Sequence, residues 1–287
     1  MQISKNNYIY ATGTGNTFNV AVDSLPIKFD NYYLESCKAA EEIYNLKQGK
    51  LYLMYSGGVD SEYALSVFLS LGMDVTPVIV RMNPYYNTHD FKYACDFCDS
   101  KNLKPLIIDI DLNEFVESGK ILDIAKSMRS SVYHYSTTAY AISKLDGTVI
   151  CGDGEPYINN QNSTWSVTMY EFDYALVNYY KDNNIHGTPH FNRYTPEMMI
   201  SFLTSKRMKE LADNKHPGKL GSNSSKGIIY NESSNFNLTL RPKYHGFELI
   251  EGSDIFKHEI FKEFESLPWT GVHHEEYYSF IKRVCVQ

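Results

Sequence analysis

Three stretches of this chain hold the residue types that handle phosphate and charge. The first is Ser56-Gly57-Gly58-Val59-Asp60-Ser61, entered from the apolar run 51–55 and followed at once by apolar residues at helical spacing: Tyr63, Ala64, Val67, Phe68 and Leu71. Two adjacent glycines let the backbone turn sharply and approach a ligand, and the N–H groups that open a helix form an anion nest. The hydroxyls of Ser56 and Ser61 add donors for phosphate oxygens, and Asp60 is placed to hold a magnesium ion that shares them. The stretch reads as a polyphosphate loop, with a plain Gly-Gly turn and a serine cap as the alternative. The second stretch is Gly152-Asp153-Gly154-Glu155-Pro156-Tyr157, at the end of a short strand over 148–152. It puts two carboxylates where a magnesium pyrophosphate or an amine nucleophile would sit, unless it is only a solvated turn. The third gathers Lys226, Arg241, Lys243 and His245 beside a Gly/Ser-rich segment, in a chain whose formal net charge is −7. Cations concentrated in an acidic protein suit an anion that leaves with growing charge.

SGGVDS lacks the lysine of GxxxxGK[ST] and the third glycine of GxGxxG. It resembles the signature of the PP-loop ATP pyrophosphatases, the superfamily of asparagine synthetase, argininosuccinate synthetase, GMP synthetase, NAD synthetase and the tRNA-thiolating and lysidine-forming enzymes. The resemblance implies a parallel, three-layer α/β/α sheet of the adenine nucleotide alpha-hydrolase-like (HUP) type. It implies ATP and Mg2+, departure of the β- and γ-phosphates together as pyrophosphate, and transfer of AMP to a small-molecule acceptor. The ATP-binding set is then Ser56, Gly57, Gly58, Val59, Asp60, Ser61 and Gly152, with Val80, Arg81 and Met82 beside the adenine. The catalytic set is Asp60, Asp153, Glu155, Lys226, Arg241 and Lys243, with Asp60 and Asp153 as metal ligands. GDGEPY is similar to an SGxGxDE-type loop of asparagine synthetase. Arg241-Pro242-Lys243-Tyr244-His245-Gly246-Phe247-Glu248 resembles a pattern of stand-alone asparagine-synthetase-like proteins, many of them from phages. Glutamine-dependent members carry a glutaminase whose nucleophile is a cysteine at residue two. Gln2 stands here and no such domain precedes the loop, so the nitrogen donor implied is ammonia or an amine. Two other readings stay open: sulfur transfer to a nucleobase, which needs a reactive cysteine, and a non-catalytic nucleotide-binding module.

The elements that must position these stretches follow from periodicity. At 287 residues the chain can build a large core. Its acidity argues against nucleic acid as its main partner. No apolar run reaches the ~18 residues of a membrane span, and the start MQISKNNYIY has no signal-peptide layout. Five cysteines form no disulfide framework. A cytoplasmic protein of a bacterium or its phage is the expectation, with a homodimer left open. Strands are predicted over 74–82, 104–112 and 148–152, with helices over 89–102, 113–128 and 133–145 between them. That is a right-handed βαβ arrangement with ligand at the carboxyl ends of the strands. Residues 8–10 and 18–22 form a hairpin, and Leu34, Ala39, Ile43 and Leu46 mark a lead-in helix over 31–47. Three regions result: 1–48 as hairpin and helix, 49–190 as the ATP-binding α/β domain, and 191–287 as a helical part with a lid over 216–226. Cys95 and Cys98, at i and i+3, read as a buried helix face rather than a metal pair. Residues 165–170 line the acceptor pocket or form an edge strand. His273-His274-Glu275-Glu276 is a solvated helical face.

Overall fold

Leu51, Leu53 and Met54 sit in a run with no polar face, and such a run is stable only between two apolar layers. The computed structural model, which describes residues 6–26, 28–161, 163–213, 222–239, 247, 249 and 257–285, supplies both layers. A hairpin of β1 (Ile9–Thr12) and β2 (Asn19–Val22) precedes helix α1 (Tyr32–Leu46). The α/β core then runs β3 (Lys50–Met54), α2 (Val59–Ser70), β4 (Thr76–Asn83), α3 (Thr88–Ser100) and β5 (Leu106–Asp111). It continues through α4 (Leu112–Glu117), α5 (Lys120–Met128), α6 (His134–Ile142) and β6 (Gly147–Cys151). Strands β7 (Tyr157–Gln161) and β8 (Thr164–Tyr170) lead to α7 (Ala175–Asp182) and β9 (Gly187–Thr188). Helices α8 (Pro196–Leu203), α9 (Lys206–Ala212) and α10 (Ser222–Ser234) come next. A helix Glu259–Glu265, strand β10 (Val272–Glu276) and a closing helix Tyr277–Val284 end the described chain.

The main sheet has the order β5-β4-β3-β6-β9 and every pair in it is parallel. Alternation along the strands sends Leu51, Leu53, Ile79 and Ile150 into a core shared with α1, α2 and α8. Met54, Val78, Val149 and Cys151 point the other way, onto α5, α6 and α7. This is a three-layer α/β/α sheet of the expected parallel class. After β3 the chain steps first to β4 and β5 on one side, then returns to β6 on the other. The crevice between β3 and β6 is therefore the switch point at which doubly wound sheets take their ligands. Both β3 and β6 run out into the Gly-rich loops there.

Several boundaries differ from expectation, each for a non-local reason. Residues 165–170 do not form an edge strand: β8 is the middle strand of a second, antiparallel sheet ordered β10-β8-β7. His273 and His274 lie on β10 of that sheet instead of on a helix, because pairing with β8 outweighs local propensity. The helix expected over 113–128 is two, broken at Gly119, whose φ of 76° only glycine adopts without strain. Leu34 and Leu46 face outward, and α1 buries Tyr32, Glu35, Ser36, Ala39, Ala40 and Ile43 instead. Part of the expected lid, 222–226, is the start of α10, while Arg241, Lys243 and His245 lie outside the described residues.

Candidate active site

The backbone leaves β3 at Met54, and Tyr55 still donates its N–H to Val78 O at 2.8 Å. Gly57 then takes φ 79°, and a Cβ there would stand 2.6 Å from Asp90 O of α3, so no other residue fits. Gly58 caps α2. The amides of the first turn of a helix have no carbonyl partner within it, and α2 starts directly after the loop that leaves β3. The two serine hydroxyls are hydrogen-bonded within the loop. Ser61 Oγ donates to Gly58 O at 3.0 Å and accepts from Ser56 N at 3.2 Å, while the Ser56 and Ser61 hydroxyls lie 3.1 Å apart. They staple the turn.

Three of the residues singled out in the sequence meet above this loop. Lys226, on α10 and 3% exposed, places Nζ 2.6 Å from Asp60 Oδ2 and 2.5 Å from Glu155 Oε1. Burial works against the ammonium, but Asp60 and Glu155 more than reverse this, so the group is held protonated well above its ordinary range. Tyr230, one turn along α10, donates its hydroxyl to Asp60 Oδ1 at 2.9 Å. Its ring stacks on Tyr63 of α2 at 4.2 Å and 12°, and Tyr32 of α1 stacks beside both. Tyr32 OH donates to Asn192 O at 2.9 Å, and Asn192 Nδ2 donates to Gly152 O at 3.0 Å. A Cβ on Gly152 would lie 2.6 Å from Ser61 Cα, so the two loops are in direct backbone contact. One connected framework thus holds Asp60, Glu155 and Lys226 together at the switch point.

Asp153 faces a different neighbourhood. Its Oδ1 accepts from Gly154 N at 2.8 Å and Oδ2 from Tyr135 OH at 3.4 Å. Nearby are Asp173, His190 and Arg193, which sequence reading passed over. Burial raises the Asp173 carboxyl to about 6, against the pull of Arg193. His190 is held neutral by burial and by Arg193, and its Nε2 lies 2.7 Å from Asp173 O; that bond makes Nε2 the protonated nitrogen. Asp173 stands 17 residues before His190 and 20 before Arg193, in a stretch whose plainest signal is the Thr195-Pro196-Glu197 helix start. Nothing in their local sequence marks them; the fold brings them together.

A magnesium ion on Asp60 does not fit this arrangement. Both Asp60 oxygens already accept hydrogen bonds, one of them from a cation, and an ammonium 2.6 Å away occupies a metal's place. Among the described residues no group of three His, Cys, Asp or Glu could hold a metal ion. Cys98 and Cys151 are buried and burial pushes each thiol up to about 12, while Cys95 is half-buried and also raised. None is the low-pKa thiolate that sulfur transfer requires. Beyond β3, Arg81 of β4 forms a fork with Asp109 of β5 (2.5 and 2.8 Å). Val80 O and Met82 N, a donor–acceptor pair of the kind that reads an adenine edge, are bridged by the carboxamide of Asn87 (both 2.8 Å).

No family model matches the chain, and no curated protein matches it. Among solved structures it is similar to a predicted subunit of tRNA methyltransferase from Methanocaldococcus jannaschii (16% identity, 63% of this chain and 85% of that one, TM-score 0.34). It is also similar to NMN synthetase from Francisella tularensis (14%, 74% and 98%, TM-score 0.32). A third is the NH3-dependent NAD synthetase from Campylobacter jejuni (15%, 82% and 91%, TM-score 0.33). The functional reading therefore rests on the site's own geometry. No helix among the described residues is long and apolar enough to cross a membrane.

Proposed function

We propose that the protein is an ATP-dependent, AMP-forming ligase of asparagine-synthetase-like type. The observation that carries this reading is the Lys226 ammonium held between Asp60 of the first loop and Glu155 of the second, above a helix N-terminus at the sheet's switch point. In the reading, an oxygen of the acceptor's carboxylate or carbonyl attacks the α-phosphorus of ATP and the bond to the β-phosphate oxygen breaks. The terminal two phosphoryl groups leave as pyrophosphate against the first-turn amides of α2. Lys226 turns from the two carboxylates toward the departing anion, exchanging one buried partner for another. Ammonia or an amine then attacks the activated carbon, AMP leaves, and Glu155 or Asp153 takes up the proton released from nitrogen. The adenine edge would replace the Asn87 carboxamide on Val80 O and Met82 N.

The test is product analysis. Purified protein, labelled ATP and a panel of small carboxylates with ammonium should release pyrophosphate and AMP in equal amounts. Release of ADP and phosphate instead would reject the reading, and tight ATP binding with no turnover on any acceptor would favour a regulatory nucleotide-binding module.

A further inference from the structure

The polar groups around the second loop are mostly acceptors. Asp153 takes its side-chain hydrogen bonds from neutral donors, the Gly154 amide and the Tyr135 hydroxyl. Asp173 takes one at 3.3 Å from the Tyr170 amide, and it feels Asp153 and Arg193 through space. His190 is 1% exposed and spends its Nε2 proton on Asp173 O, so Nδ1 is a bare lone pair. That nitrogen is buried and has no hydrogen-bond partner among the described residues. It is turned to the second loop: a Cβ on Gly154, which stands between Asp153 and Glu155 in the chain, would lie 2.7 Å from it. A buried acceptor without a donor calls for one, and the carboxylates beside it favour a donor that is also a cation. Rings flank the same acids. Tyr135 stands 6.2 Å from Phe172, Phe172 stacks on Tyr170 at 4.8 Å and 14°, and Tyr170 lies 6.1 Å from Tyr157 of the loop itself. All four rings, and Asp153 and Asp173 with them, keep part of their surface in solvent. The row is therefore a wall that a ligand can reach. Acids beside an aromatic wall suit an ammonium that carries an organic body, since ring faces attract both the charge and the apolar part. Free ammonia would leave the wall unused.

We propose that the Asp153 side of the site binds a primary organic ammonium with a flat apolar body, and that this amine, not free ammonia, is the nitrogen donor of the ligase. The binding stands on the geometry alone; the role as donor rests on the ATP reading above. The ammonium meets Asp153 and Nδ1 of His190, Asp173 adds charge, and the body lies along Phe172 and Tyr170. In the transfer it gives up two protons. Asp153 takes the first, which frees the nitrogen lone pair, and Glu155 takes the second as the carbon–nitrogen bond forms and the bond to the AMP oxygen breaks.

Isothermal titration of the full chain at fixed salt and neutral pH with benzylamine, benzyl alcohol and ammonium chloride tests it. Benzylamine should bind with a Kd of about 1 mM or tighter, and the other two about tenfold more weakly, one for want of charge and the other for want of a body. Asp153→Asn should weaken benzylamine about tenfold and leave benzyl alcohol unchanged, and Phe172→Leu should weaken benzylamine severalfold. Thermal unfolding checks that both variants fold, and the comparison of the three probes on the parent needs neither. No benzylamine binding up to about 10 mM, benzyl alcohol bound as tightly as benzylamine, or parent-like affinity in folded Asp153→Asn would overturn the proposal. Product analysis judges the ATP reading apart from it. Pyrophosphate and AMP released as fast with ammonium as with benzylamine would reject the organic donor and sustain that reading. Benzylamine bound as expected, with no pyrophosphate from any acceptor, would sustain the binding site and reject the reading.

Discussion

Replacing Lys226 with methionine keeps the length of the side chain and removes its charge. At separations of 2.6 and 2.5 Å, and with an effective dielectric of about 20, each contact carries about 6 kcal/mol of attraction, most of it offset by the cost of taking the ions out of water. The two carboxylate side chains are themselves only 13% and 12% exposed. Without the ammonium they face each other buried and unneutralised, and stranding a buried charge in this way costs about 3–5 kcal/mol at neutral pH. Against a total stability of roughly 5–15 kcal/mol the loss should be plain in urea unfolding. It should shrink as the pH is lowered from 7.5 to 5, because the stranded carboxylates are then neutralised by protons. Adding Glu155→Gln to Lys226→Met should restore part of the stability, since one of the two like charges is gone. In ATP–pyrophosphate exchange the single variant should lose about 10²–10³ of the rate. A loss below about 1 kcal/mol at both pH values would show that Lys226 does not sit between the two acids, and the reasoning would fall with it.

Gly152→Ala would drive a methyl to 2.6 Å from Ser61 Cα, and the overpacking should cost about 1–3 kcal/mol in denaturant unfolding; parent-like stability would mean the loops are further apart. Asn87→Ala should leave Val80 O and Met82 N without their bridge, lowering stability by about 1–3 kcal/mol, while tightening AMP binding severalfold because nothing need be displaced. AMP affinity that stays level or falls would place the base elsewhere. Asp173 is held at about 6 by burial, against an ordinary value of about 3.9, so its stabilising contribution is full below about pH 4 and is lost as pH rises through 6. Asp173→Asn should accordingly flatten the fall in stability between pH 4 and 7, read as urea midpoints; an unchanged slope would assign that fall to other groups.

The strand-loop-helix at Leu51–Ser70 was legible because every signal in it is local: an unbroken apolar run, two glycines, then helical spacing. The same holds for the GDGEPY loop and for the Thr195 cap of α8, a Thr-Pro-Glu start whose hydroxyl accepts from Met198 N. What escaped was set by distant chain. Strand β9 has two residues and exists because Gly187 lies against Val149, so no periodicity could announce it. Strand β10 borrows its form from β8, about a hundred residues earlier. In the site, Asp60, Glu155 and Lys226 were each selected for chemical type, yet nothing in the sequence said that one ammonium would bridge both acids. The serines' hydrogen bonds within their own loop are visible only once the turn is built. Asp173, His190 and Arg193 look ordinary in sequence, and only the fold brings them together.

The three stacked phenols of Tyr32, Tyr63 and Tyr230 join three helices, and the last of these rings rides on the helix that also brings Lys226. Chromophores 4.2 Å apart at 12° share their excitation, so their near-ultraviolet circular dichroism depends steeply on how α10 lies against α2. The molecule thus carries an intrinsic optical gauge: any ligand that draws Lys226 away from Asp60 and shifts its helix will register as a change in tyrosine ellipticity, with no label attached.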